Sequence, residues 1–302
     1  MGSVSGVGVI LVTGACGHIG RELCRILRNA NRKILAVDLN HDKTRDVLSC
    51  DLRSQSNVSL LFQAHPIRAV IHVAGILPSA FQTSPLTGAD VNLGASCELM
   101  RQSAAAHVRR FVFASSMSVY GSSPRRLPVT EEDLPAPDEP YGASKLAVEL
   151  MGQTLAREKA FEFVALRIAR VVGPGIKKTS SPWRSQIFEA CPQGQSVCVP
   201  FPPEAVLSLV HVEDVAHMLF TLVEAAEMGS FIYNTPVEIW EARRLKEVIE
   251  ELRGIRVQLA PEAAHGGPIC DGSRFTREFG FQLRGVRDRL SSRGRSDPAC
   301  FA

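Results

Sequence analysis

The amino-acid sequence predicts an α/β fold with a doubly wound parallel sheet and a smaller C-terminal lobe. Apolar runs rich in β-branched residues occur at residues 7–12, 34–37, 69–75 and 110–114. Unbroken runs of this kind are typical of parallel strands that are covered on both faces. Segments with helical periodicity, such as residues 21–29 and 87–107, lie between these runs. This alternation predicts a parallel sheet with helices on its faces.

The first apolar run ends in a glycine-rich turn, Gly14-Ala15-Cys16-Gly17-His18-Ile19-Gly20. Gly14 permits a tight turn after the strand, and Gly17 leaves room for a pyrophosphate beside the backbone. Gly20 lets the following helix pack closely on the strand. The N-terminus of that helix offers free N–H groups and a partial positive charge to an anion. A glycine triplet at this spacing is also compatible with a plain turn between strand and helix.

Asp38 favours a dinucleotide site over a plain turn. It ends the second apolar run, roughly 20 residues after the glycine turn, where an acidic side chain accepts hydrogen bonds from the adenosine ribose. No arginine follows it in Leu39-Asn40-His41 that could bind a 2′-phosphate. The sequence therefore predicts a Rossmann-type sheet that binds NAD in preference to NADP.

The composition narrows the class of protein. With 45% hydrophobic and 22% charged residues, the chain is typical of globular proteins. A net charge of +3, without basic runs between aromatic residues, argues against nucleic-acid binding. The eight cysteines form no Cys-x-x-Cys pair, which predicts free thiols in a reducing compartment and no metal site. Residues 1–20 are uncharged but interrupted by glycines, so we expect a buried strand and turn in a cytoplasmic protein without a membrane span.

Two further strand ends supply candidate residues. Asp51 and Leu52 follow a short strand run, where they would receive the adenine ring, although Asp51 is equally suited to capping a helix at residues 55–63. At the end of the next run, Gly75 would let the chain pass beside the cofactor. His72, within that run, is expected to be a buried, hydrogen-bonded side chain and not a catalyst.

A serine, a tyrosine and a lysine form a candidate catalytic set. Ser116 follows the strand run at residues 110–114, and Tyr141 and Lys145 lie four residues apart on one face at a helix start. A tyrosine with the ordinary pKa of about 10 is a poor base at neutral pH, but a nearby ammonium favours the phenolate. Ser116 would hydrogen-bond to the same substrate oxygen. Such a pair is often only a surface pair, but its position after a glycine turn and a strand-end serine favours catalysis.

Taken in order, these motifs resemble those of the extended short-chain dehydrogenases/reductases, in particular the NAD-dependent epimerase/dehydratase family that includes UDP-glucose 4-epimerase. The resemblance covers most of residues 7–225. It is carried by Thr13-Gly14-x-x-Gly17-x-x-Gly20, Asp38, Asp51-Leu52, His72-Val73-Ala74-Gly75, Asn92, Ser115-Ser116-x-x-Val119-Tyr120-Gly121, Pro128-Val129-Thr130-Glu131-Glu132, Tyr141-Gly142-Ala143-Ser144-Lys145, Leu166-Arg167, Gly173-Pro174-Gly175 and Val210-His211-Val212-Glu213-Asp214-Val215-Ala216.

The resemblance implies a role for each matched residue. Tyr141 is the implied acid/base, Ser116 is its hydrogen-bonding partner, and Lys145 holds the nicotinamide ribose as well as tuning Tyr141. These three are the predicted catalytic residues. The predicted NAD-binding residues are Gly14, Cys16, Gly17, His18, Ile19, Gly20, Asp38, Asp51, Leu52, Val73, Ala74, Gly75, Asn92, Tyr141 and Lys145.

The chain departs from the family pattern at positions that, in the family, determine the type of reaction and the substrate. Met117 and Ser118 stand where the dehydratases carry Asp-Glu, which disfavours 4,6-dehydration. Arg170 replaces an Asn of many nucleotide-sugar members, and Ser208 replaces an Arg. Residues 265–268 replace an Arg-Pro-Gly-Asp stretch. Two expected contacts to a diphosphate are therefore missing.

Nearby basic residues could replace those contacts, although a solvated rim is an equally good interpretation. They are Arg170, Lys177, Lys178 and Arg184, and Trp183 could stack on a base. The predicted substrate-binding residues are Ser116, Met117, Tyr141, Arg170, Lys177 and Arg184.

The chain is expected to divide after the last of the Rossmann motifs. Residues 1–174 would form the NAD-binding Rossmann domain with the catalytic Ser, Tyr and Lys. Residues 175–302 would form the substrate-binding lobe, from which residues 211–225 return to the Rossmann domain. Residues 284–295 hold five arginines and are expected to be mobile and solvated.

The family resemblance also implies a homodimer. Its contact would involve the helix that starts near Tyr141 and the helix at residues 87–107, with Val148, Met151 and Leu155 available for it.

Three functional hypotheses follow. The leading hypothesis is an epimerase that acts on a nucleotide-linked sugar and keeps its NAD bound. The second is an NAD(P)-dependent dehydrogenase or reductase of a sugar acid, polyol or small ketone without a nucleotide. The third is a redox-sensing protein that binds the cofactor without catalysis, which need not keep Ser116, Tyr141 and Lys145.

Overall fold

The computed structural model describes residues 8–123, 127–158, 161–176, 181–189, 196–260 and 266–291. Within these ranges the strands are β1 (Val9–Thr13), β2 (Ile34–Asp38), β3 (Val47–Ser49), β4 (Ile67–His72), β5 (Arg110–Ser116), β6 (Glu162–Ile168), β7 (Arg170–Val172), β8 (Ser196–Val199), β9 (Val206–His211), β10 (Ile232–Asn234), β11 (Glu238–Glu241) and β12 (Arg256–Leu259). The helices are α1 (His18–Asn29), α2 (Gln55–Ala64), α3 (Pro78–Thr83), α4 (Pro85–Ala89), α5 (Ala95–Ala105), α6 (Pro140–Glu158), α7 (Trp183–Gln186), α8 (Val212–Glu224), α9 (Ala242–Arg253), α10 (Ser273–Phe279) and α11 (Val286–Ser291).

The main sheet has seven parallel strands in the order β3-β2-β1-β4-β5-β6-β10. One apolar cluster packs on one face beneath α1 and α8, and a second packs on the other face beneath α2, α5 and α6. The strand order reverses between β1 and β4, and open sheets of this kind bind ligands at the carboxyl ends of the strands at such a point. The predicted doubly wound α/β fold is confirmed.

The helix predicted at residues 87–107 is present but is not uniform. Helices α4 and α5 are joined by one wide turn, Asp90–Gly94, in which the hydrogen bonds skip a residue as in a π-helix. Such π turns inside helices are frequent at functional sites. This turn contains Asn92, one of the predicted cofactor residues.

The smaller lobe is built from two short sheets, β11-β9-β7 and β12-β8, around a third apolar cluster. Trp183 lies inside this cluster with 1% of its surface exposed, and its ring packs edge-on against Phe201 at 6.1 Å between centroids. The hypothesis that Trp183 stacks on a substrate base is therefore wrong. Its side chain is part of the core of the lobe.

The chain returns from the smaller lobe to the main sheet. Helix α8 packs against α1 and against β4, β5 and β6, and β10 pairs with β6 at the edge of the sheet.

The expectation of a mobile, solvated segment at residues 284–295 is wrong for its described part. Helix α11 buries Val286 and Leu290 in the third apolar cluster. Arg289 is also buried and pairs with Asp214 at 2.8 Å and with Glu213. The apolar spacing of Val286 and Leu290 at i and i+4 was the signal for a packed helix. Residues 292–295 lie outside the described residues.

Candidate active site

The glycine turn has the geometry that its sequence predicts. Gly14 adopts a positive φ of 70°, and a Cβ on it would lie 2.7 Å from the backbone N of Ala74. A Cβ on Gly20 would overlap the carbonyl oxygen of Gly14. Helix α1 starts at His18, and no side chain caps its N-terminus. Its first N–H groups therefore stay available to an anion, and the turn fits the pyrophosphate of a dinucleotide.

Asp38 is hydrogen-bonded to the backbone of the glycine turn. Its carboxylate accepts hydrogen bonds from the backbone N–H of Cys16 at 3.0 Å and from that of Asn40, also at 3.0 Å. The carboxylate is thus held at the carboxyl end of β2, beside the turn, where the adenosine ribose is expected. The Cys16 thiol contacts the Asn40 carbonyl at 3.5 Å, and burial raises its pKa.

Replacing Asp38 with alanine is expected to narrow the preference for NAD over NADP. The carboxylate would accept from the 2′-hydroxyl of NAD and repel a 2′-phosphate, and both effects vanish with it. Calorimetric titration of both dinucleotides measures the change, with Asp46→Ala as a control at a neighbouring acid. Tighter binding of NADP than of NAD to the unmodified chain would contradict the assignment.

Asp51 is not the helix cap. Ser54 caps α2 and accepts from the N–H of Asn57 at 3.3 Å, whereas Asp51 pairs with Arg53 at 2.6 Å. The capping alternative for Asp51 is therefore wrong, because Ser54 stands three residues closer to the helix. Leu52 packs against the second apolar cluster.

His72 is buried, as expected, and serves as a fixed hydrogen-bonding group. Its Nε2 lies 2.8 Å from Ser96 Oγ and its Nδ1 lies 2.7 Å from Thr13 Oγ1. Because the hydroxyl proton of Ser96 goes to the Asn92 carbonyl at 2.8 Å, we assign the imidazole proton to Nε2. Burial lowers the pKa of His72 to about 3, so the ring stays neutral.

Asn92 positions backbone within this site. Its side chain accepts from the N–H of Ile76 at 2.7 Å and donates to the carbonyl of the same residue at 3.0 Å. This bidentate contact holds the backbone just after Gly75 in place. A Cβ added to Gly75 would lie 3.2 Å from the Asn92 side-chain oxygen and 3.4 Å from Lys145 Nζ. The wide turn that carries Asn92 therefore shapes the wall of the site beside Lys145.

One cleft brings most of the remaining candidates together. It has a volume of about 390 Å³ and lies at the carboxyl ends of β4 and β5. The predicted residues that line it are Ile19, Val73, Gly75, Ser116, Met117, Tyr141, Lys145, Arg170 and Arg184. Lys177 and Lys178 lie outside the described residues. A larger groove of about 520 Å³, beside Cys270 and Asp271, contains none of the predicted residues.

Within the cleft, Ser116, Tyr141 and Lys145 lie side by side. The Ser116 and Tyr141 side chains both line this cleft. Lys145 Nζ lies 5.7 Å from the centre of the Tyr141 ring and 4.7 Å from that of Phe113, and donates to the Ala114 carbonyl at 2.9 Å. A substrate hydroxyl placed between Ser116 and Tyr141 would have a hydrogen-bonding partner and a proton acceptor at once.

The pKa of Tyr141 does not fall as the sequence suggested. Burial raises it to about 12, while the hydrogen bond from Ser116 and the charge of Arg184 act in the other direction. Burial also lowers the pKa of Lys145 to about 8, although the charge of Glu149 opposes this. At both groups, desolvation outweighs the contributions that act in the opposite direction.

Two arginines, Arg170 and Arg184, make one end of the cleft positive. Arg170 donates to the Gly266 carbonyl at 3.2 Å and lies 4.7 Å above the ring of Phe201, and its buried Nε has no hydrogen-bond partner among the described residues. Burial and the charge of Arg184 lower the pKa of Arg170 to about 10. In the part of the chain that the structure describes, no acidic side chain pairs with Arg170, so an anionic group of a substrate is its natural counter-ion.

A buried ionic network, which the sequence did not predict, lies beside the candidate catalytic residues. Glu149, one helical turn after Lys145, forms an ion pair with Arg167 at 2.7 Å and accepts from Ser115. Arg167 also donates to Tyr120 Oη at 2.8 Å. A single charged residue inside the apolar run of β6 was the available signal.

The sheet, the glycine turn and the serine, tyrosine and lysine of the cleft together define an enzyme of the extended short-chain dehydrogenase/reductase type. Residues 10–234 match the NAD dependent epimerase/dehydratase family, and the chain belongs to this family. The family is NAD-dependent, which confirms the predicted cofactor.

Individual relatives are similar over different lengths. The UDP-glucose 4-epimerase of Yersinia pestis is 34% identical over 155 residues, which are 46% of this chain and 46% of that protein. The UDP-glucose 4-epimerase of Azospirillum brasilense is 26% identical over 277 residues, 82% of this chain and 78% of that protein. The chain spans about half, or less, of the length of the curated relatives it first matches.

Solved structures match over nearly the whole chain. The structure of MoeE5 in complex with UDP-glucose and NAD has a TM-score of 0.81 and 30% identity, and covers 95% of this chain and 97% of that one. The structure of MoeE5 in complex with UDP-glucuronic acid and NAD has a TM-score of 0.80 and 29% identity, with 94% and 97% covered.

Two further findings concern the described residues as a set. None of the described helices is both long and apolar enough to span a membrane. Among the same residues, no group of three or more His, Cys, Asp or Glu side chains is placed to hold a metal ion. The described cysteines are free thiols.

Proposed function

We propose that the protein is an NAD-dependent epimerase that acts on a nucleotide-linked sugar. The observation that carries this proposal is the single cleft in which Ser116, Tyr141 and Lys145 face Arg170 and Arg184. The first group supplies acid/base chemistry at a hydroxyl, and the second supplies positive charge for a diphosphate or another acidic group of the substrate. We propose that Lys177, as predicted from the sequence, also supplies positive charge for this acidic group.

The residues of the chain divide the chemical work between them. NAD would be held by the N-terminus of α1, by Asp38 and by Lys145, and would supply a reversible hydride acceptor for a sugar carbon. Tyr141 accepts the proton of the substrate hydroxyl and later gives it back. Ser116 holds the same oxygen by a hydrogen bond. Inversion requires the oxidised sugar to present its other face within the cleft before release.

A dehydrogenase or reductase of a sugar acid, polyol or small ketone is the second candidate, and one observation favours it. Ser208, where nucleotide-sugar members carry an arginine, is buried and accepts from the N–H of Cys270 at 3.3 Å. It therefore makes no contact with a diphosphate. If Arg170 and Arg184 do not replace the missing contact, a substrate without a nucleotide fits better.

Turnover without added cofactor separates the two candidates. The protein is incubated with UDP-glucose or UDP-glucuronic acid, the sugar products are separated by chromatography, and NADH is followed by absorbance. A C4 epimer without net NADH supports the epimerase, whereas NADH in proportion to product favours the dehydrogenase. Mass spectrometry of ligands that stay bound through purification identifies the natural substrate class directly.

Replacing Arg170 with methionine is expected to raise the KM for the nucleotide sugar by about 10- to 100-fold with little change in kcat. A hydrogen bond to a charged group contributes about 1.5–3 kcal/mol, and methionine keeps the packing on Phe201. Steady-state kinetics measure the effect, with Arg243→Met, at an exposed helix position, as the matched control. An unchanged KM would mean that Arg170 belongs to the solvated rim.

We also propose a homodimer through α5 and α6. Leu150 and Met151 on α6 are 56% and 44% exposed, and Leu86 on α4 is 82% exposed. Val148, expected at this contact, is fully buried in the second apolar cluster and takes no part in it. Leu155 packs against the same cluster. Leu150, which the sequence prediction did not include, is exposed on the outer face of α6.

Met151→Glu is expected to convert this dimer into a monomer at micromolar concentration, because the substitution places a charge in an apolar contact. Light scattering measures the mass, with Leu134→Glu, 84% exposed in a loop, as the control. A monomer before any substitution would rule the dimer out. The predicted cytoplasmic location stays a prediction.

A further inference from the structure

Arg21 connects the glycine turn with the segment that follows β7. It is the fourth residue of α1, and one N–H of its guanidinium donates to the carbonyl of Cys16, inside the glycine turn, at 3.3 Å. Another N–H donates to the carbonyl of Gly175, 154 positions further along the chain. Gly175 packs closely on the guanidinium, since a Cβ on it would lie 3.3 Å from Arg21 Nη2. One side chain therefore contacts two parts of the chain that are distant in the sequence.

Residues 173–176 are held from the other side by α7 and the residues after it. The N–H of Gly175 donates to the Glu189 carboxylate at 2.9 Å, and the N–H of Ile176 donates to Ser185 Oγ at 3.2 Å. The Ser185 hydroxyl in turn donates to the Glu189 carboxylate. The segment 173–176 thus lies between Arg21 and α7 and is hydrogen-bonded to both.

Helix α7 also carries Arg184, which lines the cleft. The N–H of Gly173 donates to the Arg184 carbonyl at 2.9 Å, so the segment holds the backbone of this arginine. Ile19, two residues before Arg21, lines the same cleft. The contacts therefore run from the glycine turn, through Arg21 and residues 173–176, to the positively charged end of the cleft.

The stability of α1 does not account for an arginine at this position. The partial positive charge of a helix N-terminus disfavours a cation close to it, and an uncharged residue of high helix propensity would suit α1 better. The shape of the guanidinium does account for it, because its separate N–H groups donate to two carbonyls at once. A lysine would keep the charge but not this fixed geometry.

We propose that Arg21 is a positioning residue that couples the two halves of the site: a dinucleotide bound at the glycine turn orders, through Arg21, residues 173–176 and with them Arg184. That Arg184 belongs to the substrate half rests on the proposed function. A ligand that has already ordered this segment lowers the entropic cost of binding the second ligand, which gives positive cooperativity. The effect is reciprocal, so a nucleotide sugar also strengthens the binding of NAD.

Hydrogen exchange followed by mass spectrometry tests the coupling without a substrate. In the unmodified protein, saturating NAD is expected to slow exchange in peptides that cover residues 173–176 and 181–189 by about 10-fold. In Arg21→Met and Arg21→Lys it is expected to slow the same peptides by less than about 2-fold, while the glycine turn is protected as before. Because a ligand stabilises the whole fold, the difference between the unmodified protein and the variants reports the coupling.

The two variants and one control separate the bridge from the charge. Arg21→Lys keeps a positive charge near the pyrophosphate but cannot hold both carbonyls as the guanidinium does. The matched control is Arg25→Met on the same helix, where Arg25 is 47% exposed and donates to Glu22 at 3.1 Å. We expect it to show the full effect of NAD on residues 173–176. Protection of the glycine turn by NAD verifies that each variant is folded.

Calorimetric titration of UDP tests the consequence for the substrate half. UDP has no sugar that could touch a nicotinamide, and ADP-ribose has no nicotinamide, so their effect on each other is expected to pass through the protein. Saturating ADP-ribose is expected to lower the Kd of UDP by about 5- to 30-fold in the unmodified protein and by less than about 2-fold in Arg21→Lys.

The exchange data decide the role of Arg21 whatever the substrate is. Equal protection of residues 173–176 by NAD in the unmodified protein and in Arg21→Lys would reduce Arg21 to a charge beside the pyrophosphate and overturn the inference. Exchange in this segment that NAD leaves unchanged in the unmodified protein would overturn it as well. A failure of UDP to bind the NAD-loaded protein would count against the proposed nucleotide-sugar substrate instead.

Discussion

Replacing Tyr141 with phenylalanine is expected to lower kcat by about 10²–10⁴-fold, the usual contribution of a general acid–base group. The phenyl ring keeps its place beside Lys145 Nζ, 5.7 Å from the ring centre, so NAD affinity should stay nearly unchanged. Only the proton acceptor of the substrate hydroxyl is lost. Turnover and calorimetric titration of NAD, on the same preparation, measure the two quantities separately.

The pH dependence gives a second measure of the same role. Since burial raises the pKa of Tyr141 to about 12, the hydroxyl is protonated at neutral pH, and the rate of sugar oxidation should rise with pH as more phenolate forms. The residual rate of the Tyr141→Phe variant should lose the part of this dependence that Tyr141 causes. Tyr233→Phe, whose hydroxyl bonds to Glu278 outside the cleft, is the control. Near-normal turnover of Tyr141→Phe would disprove the mechanism.

Breaking the buried pair of Glu149 and Arg167 is expected to reduce the free energy of unfolding by about 3–5 kcal/mol. The two side chains are 0% and 2% exposed, so Glu149→Leu would leave the Arg167 charge without its counter-ion inside the protein. Tyr120 keeps its bond from Arg167 at 2.8 Å but cannot balance a full charge. Urea unfolding followed by circular dichroism measures the loss.

The double variant Glu149→Leu with Arg167→Met shows whether the pair or the packing matters. Removing both charges avoids the uncompensated ion, and most of the lost stability should return. Glu247→Ala breaks an exposed pair with Arg244 on α9, with side chains 51% and 59% exposed, and should cost less than about 1 kcal/mol. Equal losses at the buried and the exposed pair would contradict the argument.

The parts of the site that could be predicted from the sequence share one property. The glycine turn, Asp38 and Ser116 stand at the carboxyl ends of strands, and the ends of parallel strands meet at one edge of a sheet. Periodicity fixes where each strand ends, so chain order alone places these residues near one another. Tyr141 and Lys145 join them because four residues of helix bring both onto one face. Their chemical roles stay predictions.

The parts that could not be predicted depend on which partner a side chain finds. Trp183 and Val148 are apolar residues that suit a surface or a core equally, and only the tertiary packing placed them inside. The pKa of Tyr141 depends on how completely the ring is desolvated, which the spacing to Lys145 does not encode.

The return of α8 and β10 to the main sheet has a consequence for how the protein unfolds. A fragment that ended at residue 174 would lack an edge strand of the sheet and the helix that covers β4, β5 and β6. The nucleotide-binding part and the smaller lobe therefore share one cooperative unit, and the protein should melt in a single transition. A dinucleotide bound at α1 would raise the melting temperature of the smaller lobe together with that of the sheet.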